Sequence, residues 1–253
     1  MSLMHSEREL KRMGEKDLAK IVAGVRGKLG KDIDLPVTTA KGDKLQEVPA
    51  VEALRLRESF TDTEWEALIA DGALIYRPLA QTIPTQREKQ TKKGKKSFSY
   101  VVDAGDRINA VPSRPVEFAI YPAPDRFFVP GSFDRSVKQE ERDVAGDAQD
   151  LRERLGLENI TEIIPDEAST LSDITFQHLD ATGRWLFGPE YAKAQGLDWV
   201  YGRTKNATNP AGSLVADVGN AKADNGLDVG GWDRDYGRRN VGAVRLVVPV
   251  EVK

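Results

Sequence analysis

The chain has two histidines and no cysteine. Thiolate metal sites, disulfide frameworks and cysteine nucleophiles are therefore outside its chemistry. His5 lies in a polar tail, whereas His178, in FQHLDATG, has Asp173 and Asp180 near it in sequence. A carboxylate beside an imidazole is the beginning of general-base catalysis. A partly buried histidine bonded to a neighbour is the simpler reading. No HExxH, GxSxG or phosphate-loop pattern occurs, so no catalytic set and no cofactor is expected. Asp224, Asp228, Asp233 and Asp235 place four carboxylates close together in sequence, and calcium favours several oxygen ligands. Their spacing is not that of an EF-hand, and Lys222, Arg234, Arg238 and Arg239 would neutralise much of the acid. A mixed-sign exposed face without a metal is expected there.

The stretch 87–96, REKQTKKGKK, holds six basic groups and one acid. Such a run can contact phosphates, but no aromatic lies within it to stack on a base. A solvated loop is expected, the long tip of a hairpin joining strands at 73–77 and 97–103. The whole chain carries 37 basic against 40 acidic residues, too even a balance for a protein that coats nucleic acid, and no nucleic-acid partner is expected. No run of apolar residues is long enough for membrane insertion, and the polar start lacks the apolar centre of a signal peptide. These readings leave the compartment open.

The elements that must position these groups are partly legible. Its 253 residues suit one large domain or two modest ones. Over residues 1–48, Leu10, Leu18, Ile21, Val22 and Val25 suggest a short helix, followed by an arm through Pro36 and Gly42. Thr61 with Glu64 forms a capping-box pattern ahead of a helix with Trp65, Leu68 and Ile69 on one face. A second helix is expected over 136–155, with Val137, Val144, Ala148, Leu151 and Leu155 inward and Gly156 ending it,. Strands are expected at 97–103, 116–121, 160–164 and 197–204. Pro189 and Gly196 bracket one or two helical turns. The chain closes in an apolar strand over 244–251, central or nearly so, with Pro249 pointing to a sheet edge for its last part.

Between the last two strands, residues 204–250 read as a large polar loop region, and long loops inside a domain are usually functional. Its composition is unusual. Glu, Lys, Gln, Met and Trp make up 45 of the first 200 residues, but residues 204–250 hold only three of these, Lys205, Lys222 and Trp232. Exposed loops have no physical reason to lose Glu and Gln.

The segments WVYGRTKNATN (199–209) and VGAVRLVVPVEV (241–252) resemble the C-type lectin fold of formylglycine-generating-enzyme-like domains. They also resemble the variable proteins of diversity-generating retroelements. Such domains have a tryptophan-containing strand, a long loop region and a closing strand of the form Gly-x-Arg-hydrophobic-Val, here Gly242 to Val247 with one extra residue. In those variable proteins, adenines in the codons of the loop region are mutated, typically from AAC. Such codons cannot yield Glu, Lys, Gln, Met or Trp, which matches the depletion. The carbohydrate motifs Glu-Pro-Asn and Trp-Asn-Asp are not matched, and the absence of cysteine removes formylglycine-generating activity.

The resemblance implies an α+β, C-type-lectin-like domain over 49–253. A small, mostly antiparallel sheet would carry flanking helices and long irregular loops. The ligand-binding region would be variable over about 204–250. Its exposed positions would be Asn220, Asp224, Asn225, Asp228, Gly230, Gly231, Asp233, Asp235, Tyr236, Arg238, Arg239 and Asn240, with Asp217 added. Trp232, outside the reachable codons, would be a fixed residue packing the loop, and Trp199, Val244, Leu246 and Val248 would be scaffold. The implied function is non-enzymatic binding of an unknown protein or surface ligand, as in receptor binding. The alternative is a phage or viral structural protein using the same fold for assembly.

Overall fold

The computed structural model describes residues 55–251, so the arm or helix expected over 1–48 lies outside the described residues. Helix α1 (Asp62–Ala70) begins with the expected capping box: the Thr61 side chain accepts from the Glu64 amide at 3.3 Å, and Glu64 accepts from the Thr61 amide at 2.8 Å. Its buried stripe is Glu64 and Leu68, one turn apart. Trp65 and Ile69, each one position further round, are largely exposed. The apolar face expected of this helix is therefore narrower than its composition suggests.

Two sheets carry the architecture. The first has the order β1 (Leu74–Tyr76), β3 (Phe118–Ile120), β9 (Leu246–Pro249), β4 (Ile160–Glu162), antiparallel throughout. The second has the order β2 (Phe98–Val101), β7 (Gly226–Asp233), β6 (Leu214–Lys222), β5 (Tyr201–Ala207), β8 (Val241–Gly242). Its three long strands are antiparallel, and the edge strands β2 and β8 pair in parallel. The class is α+β with small, mostly antiparallel sheets and helices. The closing strand is internal, as expected. Pro249 still pairs with Ile160 on β4, and its carbonyl accepts from the Arg57 amide at 3.1 Å, so it does not lie on an open edge.

Strand alternation divides the apolar side chains. Phe118, Ile120, Leu246 and Val248 point into the main core, where they meet Ala216, Val218, Leu227 and Val229 from the second sheet. Ala119 and Val247 point the other way, toward Leu68 of α1 and Leu151 of α4 (Val137–Leu155). Helix α4 buries Val137, Val144, Ala148 and Leu151 as expected, and Gly156 takes the left-handed conformation that ends it,.

Three expectations are corrected. First, the strands at 74–76 and 98–101 do not form a hairpin: β1 pairs with β3 and β2 with β7. Much of the basic run lies on helix α2 (Ile83–Lys92), capped by Thr82 with proline in its first turn. Two of its three buried residues are Gln86 and Gln90, so its inward face is invisible to hydropathy. Second, helix α5 (Ala168–Thr182) was not anticipated. It is buried from Ala168 to Phe176 on every side, so it has no amphipathic stripe to read.

Third, 204–250 is not a loop region, because most of β5 and all of β6, β7, β8 and β9 lie in it. The inward positions of the long strands are small residues (Gly202, Ala216, Val218) alternating with Arg, Asp and Gly, so the period of two is present but faint.

Candidate binding face of the five-stranded sheet

The second sheet turns one face to the core, and the opposite face is the candidate site. The register brings three rows across it: Tyr201, Gly219 and Asp228; Arg203, Asp217 and Gly230; Ala207, Val215 and Trp232. Tyr100 of β2 stands opposite Asp228 and extends the first row.

Asp228 organises one end. It accepts hydrogen bonds from Asn220 Nδ2 at 2.7 Å, Tyr201 OH at 3.3 Å and Ser99 Oγ. Tyr201 is half-buried, and desolvation, with the Asp228 and Asp217 carboxylates beside it, holds its hydroxyl in the protonated form. That protonated hydroxyl is the donor Asp228 needs.

Arg203, itself on this face, ties the middle row to α4. Its side chain and that of Glu140 on α4 are both fully buried, with Nε 3.2 Å from the carboxylate. The remaining donors reach the Arg135 carbonyl at 2.9 Å and the Asp233 carbonyl at 3.3 Å. The pair fixes the start of α4 and the end of β7 to the sheet.

The loop 234–240 returns over the face. Its start is held by the Val137 amide on the Arg234 carbonyl at 2.9 Å and by the Asp235 amide on Asp233 Oδ1 at 2.8 Å. Trp232 Nε1 donates to the Gly237 carbonyl at 3.3 Å, the loop-packing role expected of it. Arg238 lies with its guanidinium carbon 4.5 Å from the Trp232 ring centre and 5.7 Å from that of Tyr201. The Tyr201 amide closes the loop onto the Asn240 carbonyl at 2.9 Å.

The residues expected on the binding face divide accordingly. Asp224, Asn225, Asp235, Tyr236 and Arg239 are exposed. Asp224 and Asn225 form the β6–β7 turn, and the other three sit at the opposite end of β7, roughly 25 Å away for an eight-residue strand,. Asn220, Asp228, Gly230, Arg238 and Asn240 are half-buried between them. Gly231 and Asp233 are also half-buried, but they pair with Ala216 and Leu214 on the opposite side of the sheet, which corrects their expected place on this face. Asp217 is fully buried, which corrects its expected exposure. Gly230 is also not a free surface position, because a Cβ there would overlap Asp217 Oδ1. Sequence reasoning missed Ser99, Tyr100 and Tyr201, which other segments contribute. The pairing of β2 with β7 brings the first two in, and no local pattern announces it. Trp199, expected as scaffold, is 47% exposed.

Alanine at Asp224, Asn225, Asp235, Tyr236 or Arg239, one at a time, is expected to change unfolding free energy by less than about 0.5 kcal/mol. Gly230→Ala, which must displace the carboxylate, is expected to cost about 1–3 kcal/mol. Urea unfolding of the six variants checks the contrast. Equal tolerance at Gly230 would mean that the face is not packed as described.

The four carboxylates Asp224, Asp228, Asp233 and Asp235 are not gathered, and no group of three or more metal-ligating side chains occurs among the described residues. Nor does His178 form a dyad. Its Nδ1 lies 2.8 Å from Tyr76 OH, and burial lowers its pKa. Asp173 instead accepts from the Leu79 amide and Ser113, and Asp180 pairs with Lys93 and Lys95. The expected satisfied histidine is what the fold contains. No helix among the described residues is long and apolar enough to cross a membrane. No family model, curated protein or solved structure matches the chain.

Proposed function

We propose that this chain is a non-enzymatic binding protein, a variable protein of a diversity-generating retroelement on a C-type-lectin-like scaffold. It displays exchangeable side chains on the two turns that end β7 and at the half-buried positions between them, while Arg203, Val215, Asp217 and Gly219 in the middle of the face are buried. One coincidence carries the reading. The segment depleted of Glu, Gln and Met is also the one that supplies this face, on strands whose inner side is closed core. Burial of the strands accounts for part of the depletion, but the turns at 222–225 and 235–239, which carry the exposed positions of this face, also lack Glu and Gln. Mutation confined to a restricted codon set would leave them so.

The physics of the face suits recognition of a protein or surface ligand. Tyr236 is 68% and Tyr100 55% exposed, and Tyr offers broad contact area at low entropic cost. Asp, Asn and Arg supply directed polar contacts around them. Strands hold these groups more firmly than a free loop could, and exposed positions can vary while the core below stays intact.

Sequencing the DNA beside the coding region tests the proposal. The expected result is a reverse-transcriptase gene and a near-copy of the segment encoding roughly 217–240, with adenines at the codons of the exposed positions. Flanking DNA with neither feature overturns the retroelement origin.

A further inference from the structure

Asp217 is the least satisfied group on the face. It is fully buried, and no side-chain donor among the described residues reaches its carboxylate within hydrogen-bond distance; only the Gly230 amide approaches it. The nearest cation, Arg238, stops with Nη1 3.6 Å from Oδ2, beyond hydrogen-bond reach,. Gly230 leaves the space that the carboxylate occupies. Trp232 and Tyr201 stand in the rows on either side and offer their ring faces to the same guanidinium. Arg203, the other nearby cation, already has its carboxylate in Glu140 and carbonyls for its remaining donors.

The arrangement has the parts of a cation receptor: two aromatic faces, and a desolvated carboxylate at the floor. Its shape favours a planar guanidinium over an ammonium, because only the former can stack on a ring and give two parallel N–H bonds to one carboxylate. The resident Arg238 stacks but makes neither bond. The short loop 234–240 tethers it, pinned by the Trp232–Gly237 and Val137–Arg234 bonds. Its side chain remains 33% exposed.

The geometry points to a guanidinium-binding slot between Tyr201 and Trp232 above Asp217, which takes an arginine side chain of a protein partner and in which Arg238 is the internal placeholder. This rests on the display reading only in taking the outer face as the one that meets a partner. A guanidinium arriving from outside, free of the loop, can stack on Trp232 and bond both Asp217 oxygens. Displaced into solvent, Arg238 recovers its hydration. Burial pushes the Asp217 carboxyl up to about 6, against the pull of Arg238 and Arg203. A buried carboxylate that no side-chain donor reaches is the kind of group that gains from a better partner.

Methylguanidinium tests the slot without any knowledge of the partner. The full chain is labelled with ¹⁵N, and the Trp232 indole N–H signal is assigned with W232F. Methylguanidinium is then titrated into the wild type, R238A and R238A/D217N, with urea as the uncharged control of the same shape. R238A is expected to show a saturable shift of the Trp232 signal and a rise in melting temperature at millimolar ligand. The wild type should need at least tenfold more, because Arg238 competes. The double variant and all urea titrations should show no saturable shift. If R238A does not fold, R238Q replaces it. A folded Arg238 variant that ignores methylguanidinium, or that responds equally without Asp217, overturns the slot. Either result leaves the display reading standing, since that reading falls only on the flanking DNA.

Discussion

Arg203→Ala is expected to lower the unfolding free energy by about 3–5 kcal/mol, the usual cost of leaving a buried charge without its partner. The reason lies in the burial of both members. Arg203 and Glu140 are each fully shielded from water, so removing the guanidinium strands a carboxylate that water cannot reach. Two carbonyls, of Arg135 and Asp233, lose their donors in the same step. Replacing both members with apolar residues, R203M with E140L, should recover much of the loss, because the buried charge then disappears altogether. Urea unfolding of the two single variants and the double variant decides. A cost below about 1 kcal/mol for R203A would show that the pair is solvated and that the end of β7 is held by other contacts. The variant should also loosen the binding face, since Arg203 ties the last residue of β7 to the start of α4.

The sequence was most legible where one physical signal acted alone. Thr61 with Glu64, the apolar period from Val137 to Leu151, and Gly156 after it each report a local preference that the packing then uses. It was least legible where tertiary context dilutes the signal. Helix α5 is buried on all sides, so Thr170, Ser172 and Asp173 are core residues bonded to distant partners. Strands β6 and β7 alternate Ala, Val and Gly inward with Asp, Asn and Gly outward, which composition alone reads as a loop. For the candidate face, the depletion marks 204–250 as unusual whatever its conformation. Which side chains face outward depends on register. Register buried Asp217 and brought in Tyr100 and Tyr201 from elsewhere in the chain.

Stability is expected to fall as pH rises from about 6 to 9, and Glu162 is the main reason. It is buried on β4, where no donor among the described residues reaches its carboxylate and the Asp147 carboxylate lies close enough to share its proton. The nearest cation, Arg245, stands 3.4 Å away and spends its two 2.7 Å bonds on Asp147. Desolvation, then the Asp147 charge, pushes the Glu162 carboxyl up from 4.5 to about 9. A carboxyl whose folded pKa exceeds its unfolded value holds a proton that the unfolded chain has released. Its stabilising contribution is complete below the unfolded value and is lost as pH rises through the folded one. Between 4.5 and about 9 the Glu162 contribution therefore declines, at up to about 1.4 kcal/mol per pH unit for one proton. The opposing groups act at lower pH. His178, with its pKa lowered by burial from 6.5, costs stability only as pH falls below 6.5. Asp71 and Asp180, lowered from 3.8, cost stability only below 3.8. The maximum should therefore lie in mildly acidic solution. Calorimetry at pH 6 and 8.5 should show the lower melting temperature at 8.5, and E162Q, neutral at both, should remove the larger part of the difference. Equal melting temperatures at the two pH values, unchanged by E162Q, would mean that Glu162 is ionised in the fold and paired with Arg245.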